Sequence, residues 1–271
     1  MPIKFVFKEV KNDFEYELLN ALEYQEWYAP DLFDYEILLI GGLDKISLRH
    51  FKEEWKDTEI WDGKYNLVPI GDLDFVREFT SKILERELKP PISVPDVLYK
   101  YLNRTIVMAE DMESEDVYYD ILNEIKKRSN KNKAFIKNVS EYKKYNSVIN
   151  IDDDIPKEVR ENMDNRYMFS EYISNIESEF RIFVYQNEVV GCHNYLGDPL
   201  CFPNIYSIKE MVANYKNSPP AYTLDIAVTS DGTNKLLEIH PLISCGLYGL
   251  REYDKLPQMM ARSYRWALEE A

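Results

Sequence analysis

The stretch from Glu179 to His240 constrains the fold more than any other part of the chain. Glu179-Phe180-Arg181-Ile182 alternates charged and apolar residues with the two-residue period of a strand, and the apolar run continues to Tyr185. Gln186-Asn187 then supplies a turn, and Glu188 to Tyr195 reads as the returning strand. A second pair follows: Ala221 to Val228, the turn Ser230-Asp231-Gly232, and Lys235 to His240. Two consecutive hairpins of this kind make antiparallel sheet. The helical stretches Ser207–Asn217 and Leu256–Glu270 complete a C-terminal half of sheet plus helices.

The first ninety residues read differently. Ile3–Phe7 is a strand, Asn12 or Asp13 caps a helix through about Tyr24, and Tyr35–Ile40 is an apolar run before Gly41-Gly42, as in a buried parallel strand. Leu67-Val68-Pro69-Ile70-Gly71 is a short, edge-like strand, and Asp72 opens a helix. This is a small α/β unit, with Pro90-Pro91 at its end. Between the halves, Arg104–Met108, Ala134–Lys137 and Tyr167–Ile173 read as strands, and Val117–Lys127 as a helix. The loops Glu110–Asp116 and Ile151–Ile155 are acidic and read as solvated surface, because the alternating ligands and glycine turn of a calcium loop are missing.

Composition narrows the function classes. A chain of 271 residues with 45% apolar and 30% charged residues has the profile of one large globular domain or two intimate ones. The net charge of −15 argues against a protein that coats nucleic acid, since phosphate contacts need a basic face. Three cysteines, Cys192, Cys201 and Cys245, are too few for a disulfide framework and fit a reducing cytoplasm. No apolar run reaches membrane-spanning length, and Met1-Pro2-Ile3-Lys4-Phe5 lacks the pattern of a signal peptide, so a cytoplasmic protein is expected.

The chemistry-bearing residues concentrate on the hairpins. Glu238 and His240 are two apart on one strand and share a face, and Asp225 lies on the adjoining strand. Three ligand-type side chains in otherwise apolar sequence suit a hard divalent cation; polar residues on a wet sheet face are the equal alternative. Glu179 and Arg181 also share a face. A planar arginine there suits phosphate or carboxylate recognition, and an ordinary cross-strand ion pair is the competing reading. Trp27, Trp55 and Trp61 are expected in a core, His50 and His193 on the surface or satisfied within the core.

The order of these residues matters. Lys137 ends a strand, Ser170-Glu171-Tyr172-Ile173 follows, then Glu179-x-Arg181, Asp225 and Glu238-x-His240-Pro241, with Ser244-Cys245-Gly246-Leu247-Tyr248-Gly249 behind them. Together with Val68-Pro69-Ile70-Gly71 and Arg104, this series resembles the ATP-grasp superfamily of carboxylate–amine ligases, in particular a branch found in phages and bacteria. The resemblance implies an α+β ATP-grasp fold: a small α/β pre-ATP-grasp domain over 1–92, then subdomains over 93–170 and 171–271 that clasp a nucleotide. It implies that Lys137 contacts the α- and β-phosphates of ATP, with Arg104 as a second phosphate contact. Ser170, Glu171, Tyr172 and Ile173 become the hinge that holds adenine and ribose, and Glu179 joins the nucleotide-binding set. Asp225, Glu238 and His240 become the Mg²⁺ ligands. His240 stands where the family has asparagine, and an imidazole suits Mn²⁺ better than Mg²⁺. Arg181 is assigned to the transferring phosphoryl or the acceptor carboxylate. No glycine occurs between Gly71 and Gly191, so Asn138–Lys144, with Lys143 or Lys144, has to cover the phosphates.

The implied reaction joins a carboxylate to an amine through an acylphosphate, releasing ADP and phosphate. Small molecules, peptides and protein termini are the candidate carboxylate and amine substrates. A non-catalytic ATP-binding regulatory module and an ATP-dependent phosphotransferase are the alternatives.

Overall fold

The structure is a computed structural model, and it describes residues 3–38, 67–89, 94–140 and 145–268. The readings placed on Gly41-Gly42, His50, Trp55, Trp61, Pro90-Pro91, Lys143 and Lys144 lie outside the described residues.

Three sheets follow one another along the chain. In the first, β1 (Ile3–Phe7) lies between β2 (Phe33–Ile37) and β3 (Leu67–Ile70), and both pairings are parallel. Helix α1 (Asp13–Glu26) starts at Asn12, whose backbone N–H donates to the Glu15 carboxylate at 2.6 Å. Helix α2 (Leu73–Leu84) starts at Asp72, whose side chain accepts from the Phe75 N–H at 2.9 Å. Strand β2 runs earlier than the expected Tyr35–Ile40 and lies at the sheet edge, so it is only half-buried. Trp27 departs from expectation more sharply. It follows the last turn of α1 and is 90% exposed, outside any core.

The second sheet has the order β4-β7-β5-β6, from β4 (Ile106–Ala109), β5 (Lys133–Asn138), β6 (Asn146–Asn150) and β7 (Tyr167–Glu171). Its pairings are antiparallel. Helix α3 (Glu115–Ser129) covers one face by packing Tyr118, Leu122 and Ile125 on Ala134, Ile136, Tyr167 and Phe169. Register assigns the opposite face. Ile106 pairs with Ser170, Met108 with Met168, and Met168 with Lys137, so these five side chains project together away from α3. A single turn, α4 (Lys157–Arg160), precedes β7. The boundary expected between 170 and 171 falls on the last residue of β7.

The third sheet has the order β11-β10-β8-β9. It comprises the hairpin β8 (Ile176–Tyr185) with β9 (Glu188–Gly197) and the hairpin β10 (Ala221–Thr229) with β11 (Asn234–Pro241). Gln186 and Asn187 both take positive φ, 50° and 64°, which gives their turn the twist that a tight hairpin needs. Gly197 ends β9 at φ 78°; a Cβ there would stand 2.1 Å from the Glu177 carbonyl oxygen. One face of the sheet buries Phe180, Ile182, Val184, Tyr222, Leu224 and Ile226 beneath α5 (Ile205–Asn214).

The closing helix α6 (Leu256–Leu268) belongs to the first sheet's core as much as to its own half. Leu256, Met259, Met260, Tyr264 and Leu268 pack in one cluster with Phe5, Phe7, Leu18 and Phe79. Thr80 and Tyr264 share a buried hydroxyl–hydroxyl hydrogen bond of 2.6 Å. Among the described residues, no helix is long and apolar enough to cross a membrane.

Candidate active site

An irregularity in β11 decides which residues face the cleft. Asp225 pairs with Glu238, but the next residue, Ile226, pairs with Leu236, so Leu237 is an extra, bulged residue. In a regular strand Leu236 and Glu238 would point the same way. The bulge lets Leu236 enter the core with Ile239, while Glu238 and His240 project beside Asp225. The ligand-type atoms of Asp225, Glu238 and His240 consequently lie within 4.8 Å of one another, as the two-residue spacing and the neighbouring strand led us to expect.

The partners of this cluster are specific. His240 Nε2 stands 2.5 Å from one Glu238 oxygen, and the Lys137 ammonium pairs with the other. Burial alone would raise the Glu238 carboxyl, yet His240 and Lys137 outweigh it and hold the group well below the ordinary glutamate range. Asp225 receives a two-pronged ion pair from Arg181, with Nε donating at 2.8 Å and Nη2 at 2.7 Å. Burial pushes the Asp225 carboxyl up against this pull. Burial also opposes the charge on Arg181, but Asp225 prevails and keeps the guanidinium protonated.

Arg181 is therefore engaged by the protein itself. Its Nη1 donates to Cys245 Sγ at 3.0 Å and to the Gly246 carbonyl at 3.2 Å. Its guanidinium also lies over the rings of Tyr195 and Tyr248, which stack with centroids 5.0 Å apart. Glu179 accepts from the Tyr195 hydroxyl at 2.6 Å, so it lies behind this aromatic pair. Cross-strand pairing, the competing reading for Glu179-x-Arg181, describes Arg181 directly: Asp225 is its register partner.

A cavity of about 450 Å³ opens between the second and third sheets. Ile106, Met108 and Met168 form one wall and Leu237 and Ile239 the other; Lys137, Glu238, His240 and Arg181 gather at the polar end. The apolar wall is a feature that the sequence reading misses. The signal was present in Ile106-x-Met108, whose alternate residues Val107 and Ala109 face α3.

None of the expected hinge residues, Ser170 to Ile173, is among the residues that line this cavity. Ser170 is buried on the same face as Lys137, but Glu171 pairs with Ala134 on the α3 side and bridges to Lys131 at 3.1 Å. The Tyr172 carbonyl accepts from Lys131 at 3.2 Å, and Ile173 is buried. Arg104 is absent from the cavity lining. Its guanidinium donates to the Leu236 carbonyl at 2.6 Å and to the Leu237 carbonyl at 3.1 Å. Burial lowers its pKa to about 10, against the pull of Glu171 and Glu238.

Residues 113–256 match the sequence model of the ATP-grasp domain, family 2 of the R-2-K clade. The chain belongs to this ATP-grasp family. The three-sheet arrangement is accordingly the ATP-grasp fold, of the α+β class, as the dispersed motifs implied. Solved structures show the same fold. The D-cycloserine synthetase DcsG aligns over 98% of this chain and 99% of its own with a TM-score of 0.52 and 10% identity. The ATP-grasp ligase PsnB, complexed with a minimal precursor, aligns over 97% and 100% with a TM-score of 0.53 and 11% identity. The D-alanine–D-alanine ligase of Bacillus anthracis aligns over 100% of both chains with a TM-score of 0.51 and 12% identity. No curated protein sequence matches the chain.

The donor set of this ATP-grasp site fits a divalent cation. Two carboxylates and an imidazole converge, and each carboxylate oxygen keeps a lone pair beyond its present partner. The mixed oxygen and nitrogen set suits Mn²⁺ as well as Mg²⁺.

Proposed function

We propose that the protein is an ATP-dependent ligase that joins a carboxylate to an amine through an acylphosphate, releasing ADP and phosphate. One observation carries the reading. Lys137, Glu238 and His240 line the polar end of an apolar cavity between two sheets, and Asp225 stands behind them, its carboxylate within 4.8 Å of the ligand atoms of Glu238 and His240. That is the shape a nucleotide requires: an apolar slot for the base and fixed charges for the polyphosphate. The ligase class draws further support from relatives of the same fold, a D-cycloserine synthetase and a D-alanine–D-alanine ligase.

In this reading Ile106, Met108, Met168 and Leu237 sandwich the base, and the Ser170–Ile173 backbone borders it. Lys137 turns from Glu238 to the non-bridging phosphate oxygens. Asp225, Glu238 and His240 hold Mg²⁺ or Mn²⁺, which supplies charge neutralisation on the transferring phosphoryl. The protein's own contribution is alignment: the acceptor carboxylate is brought in line with the terminal phosphorus, and the amine then attacks the acylphosphate carbon and displaces phosphate. Arg181, fixed by Asp225, presents the outer side of its guanidinium and the Tyr248 ring to the incoming acceptor. Small molecules, peptides and protein termini remain the substrate classes.

The test is ADP release in the presence of ATP, Mg²⁺ or Mn²⁺ and panels of carboxylates and amines. Release that needs both partners, with an amide product by mass spectrometry, is the expected result. Release with one phosphorylated acceptor and no amine would make the protein a phosphotransferase. Nucleotide binding without turnover would favour a regulatory module.

A further inference from the structure

We propose that Arg104 is a positioning residue that locks the β-bulge at Leu237 and thereby aims Glu238 at the cation. The inference rests on the metal assignment made above and adds to it the element that sets the carboxylate's direction.

Strand parity sets a conflict in β11. Leu236 and Glu238 are two apart, and an unbroken strand would send both to the same side of the sheet. Leu236 is fully buried among Phe180, Leu224 and Ile226. A regular β11 that kept Leu236 in that core would bury Glu238 there too, away from Asp225. The extra residue at Leu237 resolves the conflict. A bulge interrupts the ladder, and β11 is the edge strand of its sheet, so its outward carbonyls need donors from elsewhere.

Arg104 supplies them. Its two terminal nitrogens reach the carbonyls of Leu236 and Leu237, one on each side of the bulged peptide, at 2.6 and 3.1 Å. The planar fork suits this task, because two donors at fixed separation specify the spacing of two carbonyls; a lysine ammonium specifies one point. Two further bonds fasten the same segment. Asn103 Nδ2 donates to the Asn234 carbonyl at 3.1 Å, and Lys235 donates to the Asn103 carbonyl at 2.7 Å. The chain entering β4 is thereby fastened to the start of the strand that carries Glu238 and His240.

This role differs from a phosphate contact in what it leaves untouched. The test measures, for wild type, Arg104→Lys and Arg104→Gln, the affinity for a non-hydrolysable ATP analogue without metal. It then measures the affinity of each nucleotide complex for Mn²⁺ by electron paramagnetic resonance. Metal-free nucleotide affinity should be unchanged in both variants. Mn²⁺ affinity should fall about tenfold or more in both, the scale on which groups that orient a ligand act. The Glu238 amide should exchange its hydrogen faster than in wild type.

A loss of metal-free nucleotide affinity, larger for Gln than for Lys, would overturn the proposal in favour of a phosphate contact. Unchanged Mn²⁺ affinity, or failure of both variants to fold, would overturn it as well. Wild type is the control for the underlying assignment. If it bound no Mn²⁺, or if Glu238→Gln bound it equally well, the metal site itself would fall.

Discussion

Lys137 and Glu238 form an ion pair across the cleft between the second and third sheets, from the end of β5 to the middle of β11. Both side chains line the cavity, and each is a charge that the polyphosphate and its cation would engage. Lys137→Ala should weaken ATP binding by about tenfold to a hundredfold, the worth of a charge-assisted hydrogen bond. Glu238→Gln should keep most of the metal-free affinity and lose its enhancement by Mg²⁺ or Mn²⁺. Calorimetric titration of both variants with and without metal separates the two effects.

The Arg181–Asp225 pair is buried, with 9% and 3% of the two side chains exposed. Removing one member strands the other charge. Arg181→Met should therefore cost about 3–5 kcal/mol of stability in urea unfolding. The double change Arg181→Met with Asp225→Leu should be less damaging than Arg181→Met alone, because no unpaired charge is left.

His193, on β9, packs edge-on against Phe183, and burial lowers its pKa below the ordinary 6.5. A base with a depressed folded pKa binds its proton better in the unfolded chain. Its contribution is complete above 6.5 and is lost as pH falls from 6.5 through the folded value. Thermal melting of wild type and His193→Asn from pH 7.5 to about 5 should show the steeper loss in wild type.

Gly197 holds φ 78° with the Glu177 backbone where a side chain would start. Backbone cannot move aside as a flexible side-chain tip can. Gly197→Ala should destabilise by at least about 2 kcal/mol, measured by chemical unfolding, since strain and close contact add.

Much of this organisation is legible in the residues. The two hairpins follow from alternation and turn chemistry, and the caps at Asn12 and Asp72 from side chains that satisfy free backbone N–H groups. Shared parity of Glu238 and His240 is local arithmetic and holds. What local arithmetic lacks is register. It shows neither that Arg181 lies opposite Asp225 nor that Leu237 is an extra residue, because both depend on how separate strands align. Arg104 reads as a strand-leading cation, and only the approach of β11 shows what it grips. Trp27 fails for another reason: its size favours burial, but it falls just beyond the last helical turn, where it is 90% exposed and no element among the described residues covers it.

The shared core of Phe5 and α6 has a consequence for synthesis. Partners at opposite ends of the chain give a high contact order, and such pairings form slowly. As the protein leaves the ribosome, its opening strand and first helix emerge long before Met260 and Tyr264 arrive to finish burying them. The second sheet, whose core residues lie between Ala109 and Phe169, can collapse in the interval. By this reasoning the ends close last, and with them α6, the helix that packs against the strands carrying Asp225 and Glu238.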